Sequence, residues 1–554
     1  MPVIASLPSP ADAEKRKAYF EKIRKQYAYQ YSYNETFATV IKVPEAESAG
    51  CAYQFAMLKN LSGIIPSLPR ILWTQIKQWL QRPITGYQEY LFFGLKSFPD
   101  TRFIENFQSD EYFGLQRVIG INHVTLHRAT LENPLPDNLD LVRVKDRFSE
   151  VVSGVSFDEA LKTGRLYYVD YKMLQGLVDN PGEYKGRKQY VTAPIVLLYR
   201  QDTGVLRPVA IQLNQQKAAA DNPVFMPMDG LAWVAAKLYA QVADVNYQEF
   251  ISHATRIHYL MESFIIATHW ELYKTHPIFV LLKPHLRYTL SVNAHDLFLK
   301  NKKGVPGDFG AQLAGDYDSM VALMSEAFKT YDFQAAALPV DLKTRHLDDN
   351  PELFYPYAEE GRKIWEMTQK FVRNYVDLYY VDDAAVSADT EVQAWARKMS
   401  AHEDGMRIKN FPRSFSTREA LAQAVGQIIF TASAHHSSVH YPQYLFSGFT
   451  PAMPFAAYAP PPTSLGCNLL TEKYLLDALP LRQPSMTQAL IFYLTNFRMQ
   501  LLGQDNLESK AQPIMETYRQ ELKQLSEELN TAMPRRAYPY VYLNPETIPN
   551  TVMV

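Results

Sequence analysis

Cysteine, net charge and long apolar runs are all scarce in this sequence. Its two cysteines, Cys51 and Cys467, form neither a disulfide framework nor a zinc-binding pattern. A reducing, cytoplasmic compartment is therefore expected. No apolar stretch approaches the roughly 20 residues needed to span a bilayer, and the charged N-terminus has no apolar core of a signal peptide. With 56 basic and 58 acidic residues the formal net charge is −2, so the strongly basic balance of a nucleic-acid-binding protein is absent. Internal repeats and long linkers are also missing.

What remains is a long chain, 554 residues at 47% hydrophobic composition, with 36 tyrosines and 29 phenylalanines. That is ample for a large buried interior. Residues 1–45 are charged and Tyr-rich and read as an N-terminal helical extension, with one further domain over 46–554. Residues 54–95 read as helical, with breaks near Pro66, Pro69 and Pro83. A small β-rich subdomain is expected at about 140–215. Within it LYYVDY (166–171) is a short strand, and the runs 193–200 and 206–213 flank Asp202-Thr203-Gly204, a hairpin signal. From 230 onward the pattern is helical. Residues 233–274 run without Pro or Gly, too long for an ordinary surface helix, and their apolar residues fall on more than one face, as in a helix buried all round. Residues 418–444 read as a second buried helix. The Pro-punctuated apolar tail, YPYVYLNPETIPNTVMV, is expected to pack inside.

Four of the thirteen histidines sit mid-helix among apolar residues: His253, His258, His436 and His440. The i,i+4 pair His436/His440 projects from one helical face. His253 and His258 are five apart, which in a regular α-helix separates them by about 140°. One metal can join them only where the helix widens, so the spacing predicts a π-bulge, a distortion frequent at functional sites. A single buried histidine is more often a hydrogen-bonded core residue than a ligand. Two pairs on two apolar helices favour a histidine-rich metal site, and imidazole nitrogens suit Fe, Zn, Cu or Ni alike.

The run from Pro227 to Asn293 resembles the central-helix signature of lipoxygenases: His253, His258, Glu262, Phe264, Ala267-Thr268, His276-Pro277, Leu281-Leu282, Pro284-His285 and Asn293. The resemblance continues through FQSDEYFGLQRVIGINH (107–123), ALPVDLKTR (337–345), YPYAEEGRKIW (355–365), IIFTASAHHSSVHYPQY (428–444) and the C-terminal PYVYLNPETIPNTVMV. It implies a mainly α fold, a helical catalytic domain around long central helices. It also implies one non-haem iron, with manganese as the rarer choice, held by His253, His258, His436, His440 and the terminal carboxylate of Val554. That carboxyl group, with a reference pKa of ~3.3–3.7, is an anion at neutral pH.

The implied reaction is dioxygenation of a polyunsaturated fatty acid. A ferric hydroxide takes a hydrogen atom from the CH₂ between two cis double bonds, and O₂ adds to the radical to give a conjugated-diene hydroperoxide. Gln443 matches a family glutamine near the substrate cavity, and Val245 is a further pocket candidate. His435, His276, His285 and His295 read as packing or structural residues.

Several positions depart from the family pattern. Asp296 stands where a small residue is usual and Lys300 where the cavity is usually apolar. Glu249 replaces a Gln, Trp270 an Arg and Ser263 a Pro. Asp296 and Lys300 form a solvated i,i+4 pair, contributing only ~0.2–0.5 kcal/mol, or part of the pocket, or else reflect a small local misregister with the family pattern. In the pocket their charge would indicate a more polar substrate or a hydroperoxide-rearranging enzyme. The chain reads as a minimal, bacterial-type, monomeric lipoxygenase without the N-terminal β-barrel. Its N-terminal helices permit peripheral membrane contact, with a solvated face the plainer reading.

Overall fold

A computed structural model of the chain describes residues 3–217, 219–294, 312–465, 470–505 and 507–554. The Pro- and Gly-free stretch forms its axis, a continuous helix in three parts: α-helical over Leu231–Tyr247, π-helical over Gln248–Tyr259 and α-helical again over Leu260–Glu271. Most of its side chains are buried on every side, as a helix apolar all round requires. Leu272 turns to extended backbone and ends it ahead of Pro277.

The second long buried segment is likewise composite. Thr417 caps its start by accepting from the Ala420 amide. An α-helix Arg418–Phe430, a π-turn Thr431–His435 and a helical turn His436–His440 follow. This segment packs along the helix Pro356–Tyr379, whose other side carries the helix Gln512–Ala532.

Residues 1–45 carry more than a helix. Helix α1 (Ala13–Gln26) is followed by an antiparallel hairpin of β1 (Tyr29–Ser32) and β2 (Phe37–Val40). Its turn holds Tyr33, Asn34 and Glu35 at positive φ. Both α1 and β2 pack on the Leu260–Glu271 part of the central helix. Helices α2 (Cys51–Ser62) and α3 (Leu68–Trp79) come next. Pro66 lies in the short turn between them and Pro69 in the first turn of α3, where a missing N–H costs nothing.

The β-rich part is one five-stranded antiparallel sheet ordered β3 (His127–Arg128), β4 (Leu166–Asp170), β7 (Ile195–Arg200), β8 (Leu206–Gln212) and β9 (Val224–Phe225). A separate two-stranded pair joins β5 (Glu183–Tyr184) and β6 (Arg187–Lys188). The expected hairpin is β7–β8, turning through Gly204 at φ +81°. The sheet reaches beyond 140–215 at both ends through its two-residue edge strands. The helix Asp110–Ile119 lies directly on β8, so close that a Cβ at Gly114 would collide with the Leu206 carbonyl.

A buried polar cluster ties these layers together. Arg117 pairs with Asp244 of the central helix. Asp244 also accepts from Tyr171 Oη at 2.7 Å and from Asn122 Nδ2 at 2.9 Å, and Ser252 Oγ donates to Asn122 Oδ1 at 2.8 Å. A buried charge is tolerated only when paired and hydrogen-bonded in this way. Among the described residues no helix is long and apolar enough to cross a membrane.

Candidate metal centre

The π-helix Gln248–Tyr259 does what the five-residue spacing demands. Its widened i→i+5 geometry carries His253 and His258 onto one face, with His258 Nε2 3.1 Å from His253 Nε2. The side chain of Thr255 follows the same pitch, donating to the Phe250 carbonyl five residues back at 2.6 Å. From the second composite segment, His440 Nδ1 comes within 3.2 Å and His436 Nε2 within 3.4 Å of the same His253 nitrogen. His253, His436 and His440 each offer a nitrogen to a set whose members lie within 4.8 Å of one another.

All four rings are buried. Burial pushes His253 down to about 3, and burial together with the neighbouring rings holds His258, His436 and His440 well below the usual imidazole value. Each is neutral at pH 7 and offers a lone pair. Lone pairs this close repel unless a cation or proton lies between them. Metal–imidazole bonds of about 2.0–2.1 Å set adjacent ligand nitrogens about 2.9–3.4 Å apart, so this donor set fits one ion.

Two of the rings are aimed by outer partners. His258 Nδ1–H donates to Asn293 Oδ1 at 3.1 Å, which leaves Nε2 as the free donor atom. Asn293 is itself fixed, its Nδ2 donating to the His258 carbonyl at 3.1 Å and to Glu262 Oε2 at 2.8 Å. Glu262 Oε1 accepts from the Val40 amide at 2.9 Å, so the β1–β2 hairpin supports the chain of bonds. His440 Nε2–H donates to the Thr495 carbonyl at 3.1 Å, turning Nδ1 toward the cluster. Nδ1 of His253 and of His436 has no hydrogen-bond partner among the described residues.

The C-terminal tail is strapped inward. His285 Nδ1 donates to the Asn550 carbonyl at 2.7 Å, Thr289 Oγ1 to the Val552 carbonyl at 3.0 Å, and Tyr53 Oη to the Met553 carbonyl at 2.9 Å. Val554 is buried and lines the same cavity as His253, His258 and His440. That cavity is about 420 Å³ and mainly apolar, with Met57, Ala254, Ile491 and Phe492 among its walls.

Glu249 and Gln443 also line it, joined by a 2.6 Å bond from Gln443 Nε2 to Glu249 Oε1. Burial pushes the Glu249 carboxyl up to about 8 against that bond, so it is largely a neutral acid at pH 7. Its Oε2 lies 3.5 Å from His253 Nδ1.

Val245 does not line the cavity, contrary to expectation. It sits one helical turn, about 6 Å, before Glu249, in the regular part of the helix, and is wholly buried in the core. Asp296, Lys300 and His295 lie outside the described residues. His435 accepts or donates at Tyr357 Oη, 2.8 Å away, rather than joining the cluster. His276 Nδ1 caps the helix Pro277–Leu282 and its Nε2 donates to Asp389 at 2.9 Å. Asn293 was visible only as part of the signature, and the Thr495 carbonyl had no sequence signal because any residue carries one.

The Lipoxygenase family model matches residues 72–492. The human polyunsaturated fatty acid lipoxygenase ALOX15B is 32% identical over 463 residues, covering 81% of this chain and 66% of its own length. The rat hydroperoxide isomerase ALOXE3 is 31% identical over 479 residues, 84% of this chain and 65% of its own length. This chain thus spans just under two thirds of those relatives. An anaerobic crystal structure of a LOX variant in complex with arachidonate superposes with a TM-score of 0.88 at 25% identity, covering 100% of this chain and 83% of that one.

Proposed function

The chain belongs to the lipoxygenase family, and from that premise we propose that it is a non-haem iron dioxygenase acting on polyunsaturated fatty acids. The observation that carries this reading is the convergence of four neutral imidazoles, three of them at the wall of a mainly apolar cavity. His253, His258, His436 and His440 would hold the iron, with the carboxylate of Val554 as the anionic ligand. Bound iron supplies the one-electron chemistry that removes a hydrogen atom from the activated CH₂ of such a chain.

The remaining tasks fall to the protein. Asn293 and the Thr495 carbonyl hold two imidazoles with their donor nitrogens inward, which is how outer partners fix ligand orientation. The cavity, at about 420 Å³, is within the roughly 300–1,000 Å³ of small-molecule sites. Its apolar walls suit an acyl chain and keep water from the reacting carbon. Arachidonate in the related crystal structure supports the same substrate class.

A second reading, rearrangement of a lipid hydroperoxide, is favoured by Glu249. A largely neutral carboxyl group in the cavity wall can donate to a hydroperoxide oxygen. Incubating the iron-loaded protein with linoleate, linolenate and arachidonate separates the two. Conjugated-diene absorbance rising in step with O₂ uptake is expected. Stoichiometric iron with no diene from any of them, but consumption of added hydroperoxide, would overturn the first reading in favour of the second.

A further inference from the structure

Helices α2 and α3 leave most of their large apolar side chains in solvent. Among the described residues, 22 large apolar side chains are exposed, and 11 of them fall between Phe55 and Leu80. Along α3 the exposed stripe runs Leu68, Leu72, Ile76 and Trp79 at three- and four-residue spacing, with Trp79 80% exposed. The inner side of α3 is mixed, with half-buried Ile71 against the core beside buried Ser67 and Thr74, and polar groups anchor the helix. Arg70 Nη1 donates to the carbonyls of Leu91 and Phe93 at 2.9 and 3.2 Å, Thr74 is buried, and Lys77 pairs with Glu89 at 3.1 Å. A surface helix of a globular protein buries its apolar stripe, whereas α3 leaves all of its large apolar side chains but Ile71 in solvent. Helix α2 is anchored similarly, through Tyr53 Oη on the Met553 carbonyl and Asn60 Nδ2 on the carbonyls of Tyr493 and Leu494. Phe55, Leu58 and Leu61 are left in solvent.

The charged residues of this stretch of chain have one sign. From Ser48 to Gln88 the sequence holds Lys59, Arg70, Lys77 and Arg82 and not one Asp or Glu. Lys59 and Arg82 are exposed and form no ion pair among the described residues. The face also adjoins the candidate site, because Tyr53, Gln54 and Met57 of α2 line the cavity.

We propose that the α2–α3 face docks on an anionic lipid bilayer, so that acyl chains enter the cavity past α2 without crossing bulk water. Exposed Trp and Leu on a helix flanked by Lys and Arg are the chemistry of an interfacial segment, and each cation near an anionic surface adds attraction. A second copy of the chain fits less well, since a two-fold interface sets the same patch against itself and would bring Lys59 and Arg82 against their own kind. The delivery role rests on the acyl-chain reading of the cavity, while the docking itself does not.

The full chain is tested by co-sedimentation with phosphatidylcholine vesicles with and without phosphatidylglycerol, and by quenching of its tryptophan fluorescence with brominated phospholipid. Binding is expected to need phosphatidylglycerol and to weaken with salt. L72S/I76S/W79S and K59Q/R82Q are each expected to bind roughly tenfold or more weakly, with wild-type thermal midpoints and unchanged turnover of dispersed free fatty acid. Absence of wild-type binding, or equal binding by all three proteins, would overturn the proposal. So would a dimer in light scattering that L72S/I76S/W79S dissociates. Vesicle binding by a protein that turns over no fatty acid would sink the oxygenase reading and leave the docking surface standing.

Discussion

Replacing Asn293 with Ala probes the metal centre without touching a proposed ligand. The side chain makes three bonds: it accepts from His258 Nδ1 at 3.1 Å and donates to the His258 carbonyl at 3.1 Å and to Glu262 Oε2 at 2.8 Å. Removing it frees His258 to rotate and to carry its proton on either nitrogen, so the donor atom is no longer prearranged. Loss of such an outer partner weakens metal binding about 10–100-fold, equivalent to about 1.4–2.8 kcal/mol. The fold should survive, because Asn293 is only part-buried and a typical hydrogen bond contributes about 1 kcal/mol net. The assay is iron retained after dialysis against graded chelator, with the thermal midpoint of the metal-free protein as control. The Asn293→Ala protein should lose iron at correspondingly lower chelator, while its metal-free midpoint falls by only a few degrees. Retention equal to wild type would refute the orienting role of Asn293.

Three further outcomes follow. Adding two residues after Val554 should displace its carboxylate from the buried wall and release iron, measured by elemental analysis; full iron content would remove Val554 from the ligand set. Arg117→Met strips the buried partner from Asp244 and should cost about 3–5 kcal/mol in denaturant unfolding, whereas a loss below about 1 kcal/mol would show the pair to be dispensable. Glu89 is partly buried, which opposes ionisation, yet hydrogen bonds from Arg482, Thr85 and Lys77 hold its carboxyl down at about 2. Its stabilising effect is therefore present above its ordinary value of 4.5 and lost as pH falls toward 2. The deficit of Glu89→Gln relative to wild type should be full at about pH 7 and shrink through that window, and a deficit independent of pH would contradict the linkage.

Much of the site was legible because it depends on spacing and composition. The five-residue gap between His253 and His258 announced the π-helix, and the 42 residues without Pro or Gly announced the central helix. What escaped notice lacked a periodic signal. The π-turn Thr431–His435 lies upstream of a histidine pair whose four-residue spacing needs no distortion. The β1–β2 hairpin turns through Tyr33, Asn34 and Glu35 at positive φ, without the Gly or Pro that marks most turns. The edge strands β3 and β9, two residues each, are too short to show alternation. Val245 lies in the core and not on the cavity wall, because the depth at which a cavity begins along a helix is decided by tertiary packing.

The most direct test of the central claim is the metal content of purified wild-type protein and of His436→Ala, measured by elemental analysis together with diene formation from linoleate. The account predicts one iron per chain and activity in the wild type, with both lost in the variant while the fold persists. Soundly folded wild-type protein that binds no metal, or a His436→Ala variant that keeps iron and activity, would contradict it.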